Sequence, residues 1–132
     1  MDNRSIYVSA LRLIGEDPDT DVNNDYEERA SYLLAAFCTE AAQVDKAYRE
    51  ANGLEAATEA DCVFLPLEAD FPCADRFATA AAMYLAAMLI IDENIELSDK
   101  LFERYCDIMA TIHSEIPAKS EKIAQKYGAY SK

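Results

Sequence analysis

The longest apolar stretch of the chain runs from Ala80 to Ile91, where all twelve residues are apolar. A helix without a polar face has to be covered on several sides, so this run predicts the central helix of the fold. Its alanines leave little side-chain bulk, which lets other helices approach closely. Twelve residues cover about 18 Å of helix, fewer than the roughly 20 residues that span a bilayer, so we expect no membrane segment.

Two amphipathic helices are predicted before this run. The first is capped by Asp2 or Asn3 and ends at Gly15. The second runs from about residue 25 to residue 51 and ends at Asn52-Gly53. Its predicted buried stripe is Leu33, Leu34, Phe37, Ala41, Val44 and Tyr48. We expect the opposite face to be exposed, with Glu28, Arg29, Glu40, Asp45, Lys46, Arg49 and Glu50.

A further amphipathic helix is predicted after the apolar run. Ser98 is its expected N-cap, and Leu97 and Phe102 have the spacing of a hydrophobic staple. Because the connection is short, the helix should pack antiparallel on the apolar one until Pro117 ends it. The predicted buried stripe is Leu101, Phe102, Tyr105, Ile108, Met109 and Ile112.

No helical period is visible between residues 54 and 72. The stretch from Cys62 to Leu67 has the composition of a strand, but Pro66 confines it to a sheet edge or an irregular arm. A connection of about twenty residues is long for a small protein, and such connections are often functional or reach a neighbour.

These elements predict an all-α fold. It comprises about four main helices, a short C-terminal helix at about residues 120–127, and the long irregular connection at about residues 54–72. We expect residues 1–116 to form the helical domain and residues 117–132 a basic C-terminal helix or tail.

Charge divides the chain at the same place. Residues 1–116 carry 24 acidic and 8 basic side chains, a net charge of −16, whereas residues 117–132 carry four lysines and one glutamate, a net charge of +3. An acidic body disfavours gripping nucleic acid but permits a duplex to pass without binding. The tail is expected to dock on its own acidic domain or on an acidic neighbour. Its candidate contact residues are Lys119, Lys122, Ile123, Lys126, Tyr127 and Tyr130.

The acidic loop before the second helix is a weak candidate for a calcium site. Oxygen-bearing residues alternate and reach a glutamate at the twelfth position, as in an EF-hand loop. They are Asp17, Asp19, Asp21, Asn23, Asp25 and Glu28. However, Val22 stands where the sharp turn needs glycine, and Pro18 stiffens the start of the loop. Acids before a helix also cap it and complement its dipole, which is the plainer interpretation.

The four cysteines and the single histidine form no zinc or redox motif. Without a visible export signal, we expect reduced thiols in a cytosolic protein; in a secreted protein the same cysteines could form two disulfides. Motifs for a nucleophile, a phosphate loop or a metal hydrolase are not found. The sequence therefore predicts neither an enzyme nor a cofactor.

Four stretches, in their order along the chain, resemble a known family. They are ALRLIGE from Ala10 to Glu16, the pair Phe71-Pro72, the alanine-rich FATAAAMYLAAMLI, and LFERYCDIM in the last amphipathic helix. Together they are similar to the head-tail connector proteins of tailed bacteriophages and prophages, also called adaptor or head completion proteins. The resemblance covers most of the chain and consists of packing patterns, with no catalytic signature.

The resemblance implies a small non-enzymatic helical adaptor that assembles as a ring, typically of twelve subunits, in the virion neck below the portal. Double-stranded DNA passes through such a ring without sequence-specific binding. The implied partners are other copies of the chain and the portal or a tail-completion protein, with no membrane, and the protein is in the bacterial host cytoplasm during assembly. On this hypothesis residues 54–67 and 117–132 contact neighbours.

An alternative from another class is an acidic helical module that regulates a basic protein by mimicking the charge of DNA. Such a protein should act as a monomer or dimer and bind its partner in a strongly salt-dependent way.

Overall fold

The structure, a computed structural model, describes residues 1–19 and 24–117, apart from the side chain of Asn24. Its elements are α1 (Asn3–Leu13), α2 (Asn24–Ala51), a 3₁₀ turn (Asp75–Phe77), α3 (Ala78–Ile90) and α4 (Ile95–Glu115). The described part has no strand, and one isolated antiparallel bridge joins Asp2 and Asp70. The predicted all-α bundle with four main helices is confirmed. The short helix predicted at residues 120–127 lies outside the described residues.

The centre of the bundle is α3, which contacts each of the other three helices. Eight of its thirteen residues are buried, and five of these eight are alanines. The small side chains let the neighbouring helices approach the α3 backbone closely. The prediction of a central apolar helix is confirmed, except that α3 ends at Ile90 and the following Ile91 is exposed.

The last helix, α4, runs antiparallel to α3, as predicted. The Ser98 hydroxyl near the start of α4 donates to the carbonyl of Ala87 near the end of α3, at 2.9 Å. At the opposite end, the Glu115 carboxylate pairs with the guanidinium of Arg76 at 3.0 Å. These two contacts join both ends of the helix pair.

The predicted start of α4 is wrong. Asn94 is the N-cap, because its side chain accepts the backbone N–H of Leu97 at 3.1 Å. Ser98 lies inside the helix and is buried, so its hydroxyl serves the contact with α3. Phe102, expected in the buried stripe, is 39% exposed.

Two glycines end α1 and α2 in the same way. Gly15 and Gly53 have φ angles of 76° and 67°, in the left-handed region that glycine adopts without strain. In both cases the residue after the glycine donates its N–H to a carbonyl in the last helical turn, which is the Schellman arrangement. The donor and acceptor residues are Glu16 and Leu11 for α1, and Leu54 and Arg49 for α2, each at 2.9 Å.

Residues 65–73, the second half of the connection between α2 and the 3₁₀ turn, lie against the start of α1. The backbone N–H groups of Asn3 and Arg4 donate to carbonyls in this half, at 2.9 and 2.8 Å. The side chain of Asp2, which is the N-cap, accepts the N–H of Ser5 at 2.9 Å. Donors that a helix start leaves without intrahelical partners are thus satisfied, two of them by the connection.

This second half also belongs to the core, as an irregular arm without strand structure. Leu65, Leu67 and Phe71 are buried, and the Phe71 ring stacks on that of Phe37 with centroids 6.3 Å apart. The expectation that the whole of residues 54–67 contacts neighbours is therefore wrong for Leu65 and Leu67. The exposed residues 54–64 and Pro66 remain available for such contacts.

Candidate functional site

A groove of about 660 Å³ opens between α2 and residues 54–62, the early part of the connection. Small apolar residues make up much of its lining: Ala42, Leu54, Ala56, Ala57, Ala60 and Pro72. Six charged residues also line it, and these are Asp45, Lys46, Arg49, Glu50, Glu59 and Asp61. The groove is thus shaped for an apolar segment and has charged groups that could orient it.

Asp45 is buried at this groove, which corrects the expectation that it lies on the exposed face of α2. Its side chain is 4% exposed. One carboxylate oxygen accepts the backbone N–H of Ala74 at 2.7 Å, and the other pairs with Nε of Arg49 at 2.9 Å. A buried charge is tolerated when it is paired and hydrogen-bonded, and both oxygens of Asp45 meet that condition. The helical period of α2 could not predict the burial of Asp45, because its partner Ala74 lies outside α2, just before the 3₁₀ turn.

Arg49 ties both halves of the connection to α2. In addition to its pair with Asp45, the guanidinium donates to the carbonyl of Glu55 at 2.9 Å and to that of Pro72 at 3.2 Å. All three of its nitrogens therefore have partners in the same chain. We assign this side chain a structural role at one end of the groove and not the binding of an anion.

Three of the four cysteines meet at the groove, although their spacing in the sequence gives no sign of it. Cys38 on α2 and Cys73 are buried, whereas Cys62 is exposed on the connection. A hydrogen bond with Cys38, together with burial, raises the pKa of the Cys73 thiol far above its ordinary value. Cys73 therefore stays protonated and is a poor nucleophile. All four cysteines are free thiols in the structure.

Next to the groove, the connection makes a hydrogen-bonded turn at residues 61–64. The side chain of Asp61 accepts the N–H groups of Val63 and Phe64 at 2.7 and 3.2 Å, and these two bonds lower its pKa. Val63 is 62% and Phe64 40% exposed. The Phe64 ring also contacts the exposed Tyr32 edge-on, with centroids 5.2 Å apart. We call Tyr32, Val63 and Phe64 the apolar turn patch.

The predicted calcium loop lies only partly within the described residues. Its described members are Asp17, Asp19, Asp25 and Glu28, whereas Asp21 and Asn23 lie outside. Asp17 accepts the N–H of Asp19 at 3.0 Å, and Asp25 pairs with Arg29 at 3.5 Å. Within residues 1–19 and 24–117, no three potential ligand side chains come together to hold a metal ion. The calcium hypothesis stays a prediction, since two of its six ligands cannot be placed.

The candidate contact residues of the basic tail all lie outside the described residues. They are Lys119, Lys122, Ile123, Lys126, Tyr127 and Tyr130. The structure does describe where the tail begins: α4 ends at Glu115, and Ile116 adopts the extended conformation that a residue before proline prefers.

Along the described part of the chain, no helix is long and apolar enough to cross a bilayer. Comparison of the chain with models of protein families, with curated proteins and with solved structures finds no match. The features that bear on its function are the groove, the apolar turn patch, the charge of the surface and the resemblance of the sequence.

Proposed function

We propose that this chain is a non-enzymatic assembly protein of a tailed bacteriophage or prophage, namely a head-tail connector adaptor that forms a ring below the portal. The resemblance of its sequence to that family supports the proposal. The resembling stretches lie at the end of α1, in the segment leading to the 3₁₀ turn, in the region of α3, and in the middle of α4.

The observation that carries the assembly role is the apolar turn patch. Clustered exposed aromatic residues mark interaction surfaces, whereas scattered apolar residues are common on any protein. Tyr32 and Phe64 are in contact while both are at least 40% exposed, and Val63, the residue before Phe64, is 62% exposed. Because Asp61 already holds the turn, binding through this patch loses little further conformational entropy.

A closed ring needs a second surface on each subunit, complementary to the first. On α4, Ile95 and Phe102 are seven residues apart and therefore lie on one face of the helix. They are 64% and 39% exposed. The apolar turn patch of one subunit contacts this face of the next subunit, which makes the interface head-to-tail.

The charge of the body suits the passage of DNA through such a ring. Residues 1–116 carry a net charge of −16, so a channel lined by this surface repels phosphate groups and does not retain the duplex. The same charge would also suit the regulation of a basic protein. The oligomeric state separates the two functions.

The first test is the mass of the complex formed with portal rings encoded in the same genome. The chain is mixed with the purified rings, and the complexes are measured by light scattering after size exclusion and imaged by electron microscopy. The expected result is a ring of copies of the chain on one face of the portal. The proposal would be overturned if the chain stays a monomer or dimer, does not bind the portal, and binds basic proteins in a salt-dependent way.

A pair of variants tests the role of the patch. Val63→Asp should weaken ring assembly at least about tenfold, because it places a charge within an apolar interface. Thr79→Asp adds the same charge at an exposed site in the first turn of α3 and should leave assembly unchanged. Circular dichroism should show the same helix content in both. Equal assembly of the two variants would contradict the patch as an interface.

A further inference from the structure

We propose that the groove between α2 and residues 54–62 is the docking site of residues 118–132 of the same copy of the chain. The occupant is therefore an apolar and basic segment that is covalently joined to the domain. This inference goes beyond the connector function, and it can hold whether or not the protein forms a ring.

The point where the tail begins favours this occupant. Glu115, at the end of α4, is joined to Arg76 by two hydrogen bonds of 3.0 Å. Arg76 lines a shallow depression together with Arg49, Leu54 and Cys73, and these three residues also line the groove. The depression and the groove therefore adjoin at these three residues. A chain that leaves α4 after Glu115 starts beside the depression.

The tail is long enough to cross the depression and enter the groove. Fifteen residues span about 22 Å as a helix, and up to about 50 Å when extended. Attachment to the domain also raises the local concentration of the tail at the groove to roughly the millimolar range, which favours docking within one copy over docking on another.

The charges of the groove and the tail are complementary. The charged lining residues comprise two basic side chains, Lys46 and Arg49, and four carboxylates, a net charge of −2. Residues 118–132 carry four lysines and one glutamate, a net charge of +3. Contacts between opposite charges in a partly enclosed groove are stronger than those on an open surface.

The apolar parts also correspond. The groove offers alanines and Leu54, with few bulky side chains. The tail offers larger apolar side chains at intervals, namely Ile123, Tyr127 and Tyr130. Large side chains that enter a groove lined with small ones bury apolar area on both partners, which provides the main part of the binding free energy.

Two native cysteines make a direct test possible. Cys62 is exposed at the groove, whereas Cys106 is exposed on α4 and does not line it. Gln125→Cys in the full-length chain adds a fifth thiol, among the lysines of the tail. A short bismaleimide then joins residue 125 to whichever thiol is near, and peptide mass spectrometry on the monomer fraction measures the two products.

We expect the product that joins residues 62 and 125 to exceed the product that joins 106 and 125 by about fivefold or more, and the ratio to fall in high salt. Lys122→Glu with Lys126→Glu should bring the ratio near one. The control is Lys100→Glu with Arg104→Glu, which makes the same change of charge at exposed positions of α4 and should leave the ratio unchanged.

Equal amounts of the two products in the Gln125→Cys protein without further substitutions would overturn the proposal. So would a product between residues 62 and 125 that forms only between molecules and increases with protein concentration, because the tail would then dock on a second copy. Neither result depends on the portal, so failure of the connector proposal remains distinguishable from failure of this one.

Discussion

Residues 54–64 and residues 65–73 belong to one irregular connection, yet they have opposite relations to the core. All eleven residues of the first half are exposed. In the second half Leu65, Leu67 and Phe71 are buried. Apolar content does not explain the difference, because Val63 and Phe64 are as apolar as the buried residues that follow them.

The hydrogen-bond partners of the backbone explain this difference in burial better. The second half is also bonded to α2, where Leu65 donates its N–H to the carbonyl of Ser31, but unlike the first half it is bonded to the start of α1 as well, which holds it against the core. The first half is bonded mainly to α2, where Arg49 holds the carbonyl of Glu55 and Thr39 that of Cys62. A segment without secondary structure can therefore be core or binding surface, according to where its polar backbone groups find partners.

The largest effect is expected for truncation in the second half. Phe71→Ala should lower the free energy of unfolding by about 3–5 kcal/mol, because the ring is buried and stacks on Phe37. Val63→Ala, in the first half, should change it by less than about 0.5 kcal/mol. Urea denaturation followed by circular dichroism measures both. Similar losses in the two variants would mean that the halves do not differ in the way described.

The anchor shared by the two halves is the next test. Asp45→Ala leaves the Nε of Arg49 and the N–H of Ala74 without a partner, so we expect a loss of about 3 kcal/mol in the free energy of unfolding. Asp25→Ala removes an exposed pair with Arg29 and should cost less than about 0.5 kcal/mol. Thermal unfolding of the two variants provides the comparison. If both behave alike, the buried pair is not an anchor.

A smaller and local effect is expected at the turn of the first half. Asp61→Ala removes the acceptor of the Val63 and Phe64 N–H groups. Hydrogen exchange at these two amides should become faster, while the urea midpoint stays close to that of the starting protein. Asp75→Ala, another exposed acid, serves as the control. Unchanged exchange would show that Asp61 does not hold the turn.

The smallest expected effect is on the pH dependence of stability, through one carboxylate in each half of the connection. Hydrogen bonds lower the pKa of Glu68, which pairs with Arg4, and that of Asp61. A carboxylate with a lowered pKa stabilises the fold above its unfolded pKa, and this contribution is lost as pH falls through the folded value. The losses should therefore begin below the ordinary pKa values, 4.5 for Glu68 and 3.8 for Asp61.

NMR titration of the carboxyl carbons measures these two pKa values. Arg4→Gln should return Glu68 towards its ordinary pKa and leave Asp61 unchanged, because the Asp61 pKa is lowered by backbone groups of its own turn. A shift of both residues in this variant would indicate that the two halves are coupled.

Signals that act within one or two turns of helix could be predicted from the sequence. Gly15 and Gly53 fix the ends of α1 and α2 because their left-handed conformation depends on the residue itself. The central position of α3 follows from the absence of any polar face. The limits of α2 agree with the prediction to within one residue.

Features that depend on residues far apart in sequence could not be predicted. Asn94 and Ser98 are both good cap residues, and only the acceptor on α3 shows why Ser98 lies inside the helix. The helical period assigns Asp45 to the exposed face of α2. Its burial follows from the N–H of Ala74, which donates to it from another part of the chain. The groove needs α2 and the connection together, so neither segment alone indicates it.

The bonds between the start of α1 and the connection also have a consequence for the order of folding. Asn3 and Pro66 are joined although 63 positions separate them, and closing so long a loop costs entropy before its contacts are gained. α3 and α4 are joined by a short turn, so their pairing should come first. On a translating ribosome, α1 emerges before the residues that satisfy its first N–H groups have been made. We therefore expect α1, although it is made before α3 and α4, to be completed after these two helices have paired.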